Sequence, residues 1–193
     1  MPSELISRLD TWMKSNRKKF YANLKPGAPP EKIDAFEKEL GHTLPETLRA
    51  LLLWRNGERD GGPSERFIDN YSLMSIEEIA SAWRTTKKLK DAGEFDDEHA
   101  WHNEWVPFVA NGGGDHLCVG LAGIGDDEEE REAGQVIEYW HADSDRTVKF
   151  ASIDVLFEKL LYALEHGEWS IEDDGFFAWD EHEEEDQEEE GDE

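Results

Sequence analysis

A change in hydrophobic periodicity near Trp105 constrains the fold of this chain more than any other feature. From Leu5 to Met13, and in later segments before Trp105, apolar residues recur at intervals of three and four, which is the spacing of one helix face. After that point come WVPFVA, HLCVGL, QVIEYW and TVKFAS, short segments separated by Gly-rich or Asp-rich turns. Their β-branched and aromatic residues favour strands of an antiparallel meander.

Capping signals divide the helical part of the sequence. One helix begins near Ser3 and another near Pro30, and later ones follow capping-box spacings at Thr43–Glu46 and Ser75–Glu78. A last helix follows Ser152. Glycines mark three expected helix ends, at Gly41, Gly57 and Gly167. The order of elements predicts an α+β fold, with N-terminal helices and a C-terminal helix packed on a mainly antiparallel β-sheet.

The C-terminal part of the chain has a composition of its own. Residues 160–193 contain 16 acidic residues and no basic one, and apolar spacing ends near Glu181. Like charges without apolar spacing predict disorder. We therefore expect one domain over residues 1–171 and an acidic, largely disordered tail over 172–193, in which Phe176, Phe177 and Trp179 are candidates for docking on the domain.

Net charge indicates the class of partner, and cysteine content indicates the cellular compartment. The formal net charge is −27, which repels nucleic acid and anionic membranes and attracts basic proteins. Cys118 is the single cysteine, so no internal disulfide is possible. The start MPSELISRL lacks the pattern of a signal peptide, and no apolar run is long enough to cross a bilayer. A cytoplasmic protein is expected.

Several separate blocks of the sequence resemble one known family. These blocks are LKPGA, AFEKELGHTLPETLRALLLWRNG, EWVPFVANGGGDHLCVGL and GQVIEYWHADSDR, followed by the closing helix. In order and spacing they resemble the SUKH superfamily in its Smi/Knr branch, over roughly Leu24 to Leu164. The resemblance implies a bacterial immunity protein that neutralises a polymorphic toxin, although fungal relatives are regulators of cell-wall signalling.

The resemblance implies a mainly structural role for the residues that carry it. They are Leu44, Pro45, Leu48, Leu52, Asn56, Gly57, Trp105, Pro107, Gly113, Gly114, Asp115, Leu117, Gln135, Val136 and Ile137. The residues themselves lead to the same interpretation for several of them. Leu44 faces a core, Gly57 supplies a left-handed helix cap, and the glycines at 112–114 permit a turn with positive φ.

One loop departs from the family pattern and is our first candidate for a partner-binding site. Where the family usually has Pro and Gly before GQVI, this chain has AGIGDDEEEREA. The five acids are Asp126, Asp127, Glu128, Glu129 and Glu130. Their mutual repulsion offers no folding advantage, whereas a loop held on a folded scaffold can direct charge toward a partner. Three tryptophans are further candidates for partner contact, in competition with a core role: Trp101, Trp105 and Trp140.

Catalytic and metal-binding interpretations are less well supported. Strand alternation places His116 and Cys118 on one face next to Asp115, but a structural zinc site needs about four ligands, and companion CxxC or HExxH motifs are absent. NGGGD lacks the Gly-Lys-Ser/Thr of a phosphate loop. HADSDR lacks the Gly and the distant Glu of a calcium loop. We therefore expect no catalytic residue, no metal and no cofactor.

The sequence thus favours a toxin-binding immunity protein that is not an enzyme. Its expected partner is a cognate protein toxin with a basic surface, such as a nuclease or ADP-ribosyltransferase, bound 1:1 by a monomer so that the active or substrate-binding surface is blocked. The alternative is a regulatory scaffold that binds an endogenous signalling or cell-wall enzyme. An enzyme of unrecognised type is a third, weaker alternative.

Overall fold

The computed structural model describes residues 2–95, 100–123, 132–143 and 145–181 of the 193-residue chain. Helices within these ranges are α1 (Pro2–Asn16), α2 (Lys18–Asn23), α3 (Pro30–Leu40), α4 (Glu46–Trp54), α5 (Ile76–Asp91) and α6 (Ile153–His166). Strands are β1 (Leu24–Pro26), β2 (Arg55–Glu58), β3 (Ser72–Leu73), β4 (Trp105–Ala110), β5 (His116–Gly120), β6 (Val136–Tyr139), β7 (Val148–Phe150), β8 (Trp169–Ile171) and β9 (Phe177–Trp179).

The main sheet is an antiparallel meander in the order β3-β4-β5-β6-β7. Val106 of β4 lies opposite Val119 of β5, and Cys118 lies opposite Ile137 of β6. Consecutive residues are buried along β4 and β5, so both faces of these central strands are covered. The predicted α+β class and the four strand segments after Trp105 are confirmed.

The helices enclose the core that the apolar spacings of three and four residues predicted. α1 packs against α4 and α6, α5 packs on β4, and α6 also packs against β7. On α6, Leu156, Leu160 and Leu164 are all buried. At the start of α5, Ser75 and Glu78 form the predicted capping box, in which each side chain bonds to the other's backbone N–H.

Two predicted helix signals form different structures. Pro45 is the N-cap of α4 and makes no side-chain cap hydrogen bond, so the predicted Thr43–Glu46 capping box is wrong. The Glu37 carboxylate instead accepts a hydrogen bond from the Leu44 N–H at 2.9 Å. Asn56-Gly57, predicted as a helix stop, lies in β2, which pairs with β1.

The C-terminal hairpin corrects the predicted domain boundary. β8 and β9 pair antiparallel on either side of residue 172, where we expected the tail to begin. Phe177 is buried at 1% exposure because its ring stacks on Trp169, with 5.9 Å between centroids. Residues 172–181 therefore belong to the folded unit. The predicted disorder of 182–193 falls outside the described residues.

Candidate functional site

An open groove of about 440 Å³ lies where the end of β6 meets the turn before β3 and the C-terminal hairpin. Three aromatic residues, Tyr71, Trp140 and Phe176, contribute to its walls. Its charged groups are four carboxylates and one amine, from Asp69, Asp115, Glu138, Glu181 and Lys149. We call this site the Trp140 groove. Its acidity and its aromatic wall suit a cationic ligand.

Trp140 is held at the groove by the turn that connects β6 to β7. The Arg146 guanidinium donates hydrogen bonds to the carbonyls of Trp140 at 3.2 Å and Asp143 at 2.5 Å. It also donates to the Ala100 carbonyl at 2.8 Å and lies 4.5 Å from the Tyr139 ring centroid. The indole nevertheless remains 47% exposed. A large exposed aromatic side chain whose backbone is held in place is a typical contact for a partner.

Asp115 forms a fully bonded wall of the groove. One of its oxygens accepts hydrogen bonds from the His141 backbone N–H at 2.9 Å and from Nδ1 at 2.8 Å. The other accepts from the Asn111 amide at 2.6 Å. Burial raises the pKa of Asp115, but the bonds from His141 and Asn111 outweigh it and hold the pKa below its usual value. Asp115 therefore joins two turns of the sheet.

Asp69 forms the floor, and its carboxyl group is in an unfavourable environment for charge. Its backbone has φ of 50° and exchanges two hydrogen bonds with Phe177, while its carboxylate accepts one from the Trp179 indole at 2.9 Å. Burial, followed by the charge of Glu181, raises the pKa of Asp69 to about 6. A cation bound in the groove would stabilise the ionised carboxylate of Asp69.

Glu138, Lys149 and Tyr71 also line the groove, in which acidic groups outnumber basic ones. Glu138 accepts a hydrogen bond from the Tyr71 hydroxyl at 3.1 Å. Lys149 lies 3.6 Å from the Glu181 carboxylate. Burial raises the pKa of Tyr71, so its hydroxyl stays protonated. One lysine thus faces four carboxylates.

The structure separates the three tryptophans that were predicted to contact a partner. Trp101 and Trp105 are 1% and 0% exposed, and their rings pack edge to face at 5.8 Å between centroids. The prediction that these two rings contact a partner is wrong, because both are buried in the core beside the sheet. Trp140 alone of the three is exposed. The other predicted contacts, Asp126, Asp127, Glu128, Glu129 and Glu130, lie outside the described residues.

Cys118 and His116, which were candidates for metal or thiol chemistry, lie in β5 of the main sheet. Cys118 is buried, and burial raises the pKa of its thiol, which works against a nucleophilic thiolate. Burial lowers the pKa of His116, whose ring stacks on Tyr139 at 6.2 Å. Within residues 2–95, 100–123, 132–143 and 145–181, no three His, Cys, Asp or Glu side chains converge as metal ligands would.

The sequence matches the SMI1 / KNR4 family (SUKH-1) over residues 27–159. This chain belongs to that family. It is also similar to a protein of Schizosaccharomyces pombe (strain 972) described as "Cell wall biosynthesis/cell cycle regulator smi1", with 26% identity over 194 aligned positions. The similarity covers 89% of this chain and 38% of that relative, so the chain spans well under half of the relative's length.

Two pairs of the residues that carry the family resemblance, Leu44-Pro45 and Asn56-Gly57, lie at the starts of helices α4 and α5. Leu44 is buried and precedes the Pro45 cap of α4. Asn56 accepts a hydrogen bond from the Ile76 N–H at 2.7 Å, which links β2 to the start of α5. Gly57 has φ of 79°, and a Cβ there would lie 2.7 Å from the Ser75 nitrogen. A side chain at this position would therefore collide with the α5 cap.

Other residues that carry the family resemblance lie in the main sheet and its turns. Pro107 is buried at an irregularity in the pairing of β4 with β5. Gly112 and Gly114 have positive φ, whereas Gly113 does not, and a Cβ on Gly114 would press on the His141 ring at 3.1 Å. The Gln135 carbonyl accepts a hydrogen bond from the Gly120 N–H at 3.0 Å, which begins the pairing of β5 with β6.

No helix in the part of the chain that the structure describes combines the length and apolarity needed to cross a membrane.

Proposed function

We propose that this chain is an immunity protein that binds a cognate protein toxin and blocks its active or substrate-binding surface, with no catalysis of its own. The observation that carries the proposal is the Trp140 groove, in which an exposed indole lies directly after β6 among four carboxylates. Such a site can bind protein through an aromatic anchor and complementary charge. Membership in the SMI1/KNR4 family is consistent with this role.

The overall charge supports a basic partner. At −27, the chain repels nucleic acid and draws in cationic surfaces. Toxins that act on nucleic acid carry basic clefts, since they must neutralise phosphate. The proposal sets the action in the cytoplasm, with a monomer forming a 1:1 complex and no cofactor.

The test is to co-express the chain in a bacterial host with proteins encoded by adjacent genes. We expect one of them to be toxic alone, to be neutralised by this chain, and to co-purify with it as a 1:1 complex by light scattering. A toxin related to that one serves as the control and should not be neutralised, because specificity depends on surface contacts that differ between relatives. Failure of every adjacent product to bind would contradict the proposal.

A second candidate is a regulatory scaffold for an endogenous signalling or cell-wall enzyme. The similarity to the Schizosaccharomyces pombe regulator favours it. The two candidates differ in the consequence of deletion. Loss of an immunity protein is harmful only when the toxin is present, whereas loss of a scaffold alters growth or wall composition without any toxin.

A further inference from the structure

We propose that the Trp140 groove binds an arginine side chain of the partner protein, whose guanidinium stacks on the Trp140 indole and pairs with the carboxylates of Asp69 and Glu138. The inference rests on the proposed function only in assigning the arginine to a bound protein.

Three of the four carboxylates have unused acceptor capacity, and of these Glu181 is already paired with the Lys149 amine. Asp69 accepts one hydrogen bond, from Trp179, and Glu138 accepts one, from Tyr71. The second oxygen of each accepts none from any residue that the structure describes. Asp115, in contrast, uses both oxygens within the protein. An incoming donor would therefore bond to Asp69 and Glu138.

The arrangement fits an extended, planar cation better than a metal ion or a lysine. In the described part of the chain these carboxylates do not converge on one point as ligands of an ion would. A guanidinium has five N–H donors in one plane, so it can reach separated acceptors and stack on an aromatic face at the same time. A lysine ammonium is a point charge and cannot do both as well.

Lys149 sets a limit on binding in the free protein. Its amine lies 3.6 Å from the Glu181 carboxylate, and it is the one cation among the described residues that line the groove. Its charge repels an incoming guanidinium and reduces the attraction of the carboxylates. Replacing it with a neutral side chain should therefore strengthen binding, an effect that damage to the fold would not produce.

The direct test uses three blocked peptides, Ac-Gly-Arg-Gly-amide and its lysine and citrulline equivalents, titrated into the labelled full chain at about 150 mM salt, where distant surface charge is screened. NMR follows the indole N–H of Trp140. We expect saturable shifts with the arginine peptide, weaker ones with lysine, and none with citrulline. Equal responses to arginine and lysine, or shifts spread over the acidic surface without Trp140, would overturn the proposal.

Matched variants sharpen the test. Glu138→Gln should weaken arginine binding by about tenfold, the usual effect of losing one charge-assisted hydrogen bond, and Lys149→Gln should strengthen it severalfold. Glu31→Gln is the charge control and Tyr162→Ala the aromatic control, since Tyr162 is also 47% exposed but lies outside the groove. An unchanged affinity in Lys149→Gln, or an equal loss in the controls, would refute the assignment.

The outcome is separable from that of the proposed function. If the arginine peptide binds as expected and no toxin is neutralised, the groove assignment stands and the immunity role fails. If a toxin is neutralised equally well by wild type and by the double variant Trp140→Ala/Glu138→Gln, the immunity role stands and the assignment of the groove to its partner fails.

Discussion

Asp69 combines two constraints that a single substitution can separate. Its left-handed backbone, with φ of 50°, tolerates Asn at least as well as Asp, so Asp69→Asn removes the charge and keeps the turn. Burial and the charge of Glu181 raise the pKa of Asp69 to about 6, with a smaller contribution from Glu138, while the Trp179 hydrogen bond and Lys149 oppose the shift. A pKa raised on folding gives stability that is present below about pH 4 and lost as the pH rises through 6.

We therefore expect the stability difference between Asp69→Asn and wild type to depend on pH. At pH 7 the variant should equal or exceed wild type, because it removes a poorly solvated anion. As the pH falls toward 4, wild type gains stability by protonation and the variant loses its advantage. Urea denaturation at pH 4, 5, 6 and 7 measures this difference, and a difference that is constant over this range would show that the carboxyl titrates normally.

Gly57 and Gly41 form a matched pair for testing close packing between β2 and the α5 cap. Their φ angles are 79° and 75°, but a Cβ at Gly41 has open space, whereas one at Gly57 meets the Ser75 nitrogen at 2.7 Å. Gly41→Ala should cost about 1–2 kcal/mol from the left-handed backbone alone. Gly57→Ala should cost at least about 3 kcal/mol, since the α5 cap must also move. Equal free energies of unfolding would argue against the close approach.

Among the elements, the C-terminal hairpin has the clearest test by truncation. A chain ending at Ile171 loses Phe177, which stacks on Trp169 and lies 4.5 Å from the buried guanidinium of Arg17. We expect a loss of roughly 3–5 kcal/mol, typical of emptying a buried aromatic site. A chain ending at Glu181 is the control and should unfold within about 0.5 kcal/mol of the full chain. Equal stability of the two truncated chains would contradict the role of the hairpin.

The same hairpin shows where sequence patterns were insufficient. Long helices and the strands after Trp105 were predicted because their periodicity and caps are local signals. β1, β2, β3, β8 and β9 have only two to four residues each, too few to show a period, and they form because a distant partner is available. The acidic residues around Glu172 suggested a disordered tail, and the alternation of Phe177 and Trp179 was too short a signal to predict a strand there. The groove itself escaped prediction, because Asp69, Glu138 and Lys149 come together only through the sheet and the hairpin.

At the scale of the whole molecule, the acidic loop predicted to contact the partner joins the folded unit through paired ends. The Gly120 N–H donates to the Gln135 carbonyl at 3.0 Å, and the Gly134 N–H donates to the Gly120 carbonyl at 2.7 Å. The loop acids Asp126, Asp127, Glu128, Glu129 and Glu130 lie outside the described residues, but their attachment points are fixed at β5 and β6. We expect these charges to draw a basic toxin toward the chain.

Changing the five loop acids to Asn or Gln should slow association with the toxin and flatten its dependence on salt. Electrostatic steering raises association rates by about 10–1,000-fold at low salt and fades as the Debye length shortens. The control neutralises five tail acids, Glu183, Glu184, Glu185, Asp186 and Glu188, which changes net charge equally. Because steering depends on where charge is held, the tail variant should retain more of the rate and of the salt slope. Stopped-flow association across salt concentrations measures the rate and its salt dependence. Equal rates for the loop variant and wild type would show that the loop does not steer association. The Trp140 groove would then remain as the partner-binding surface.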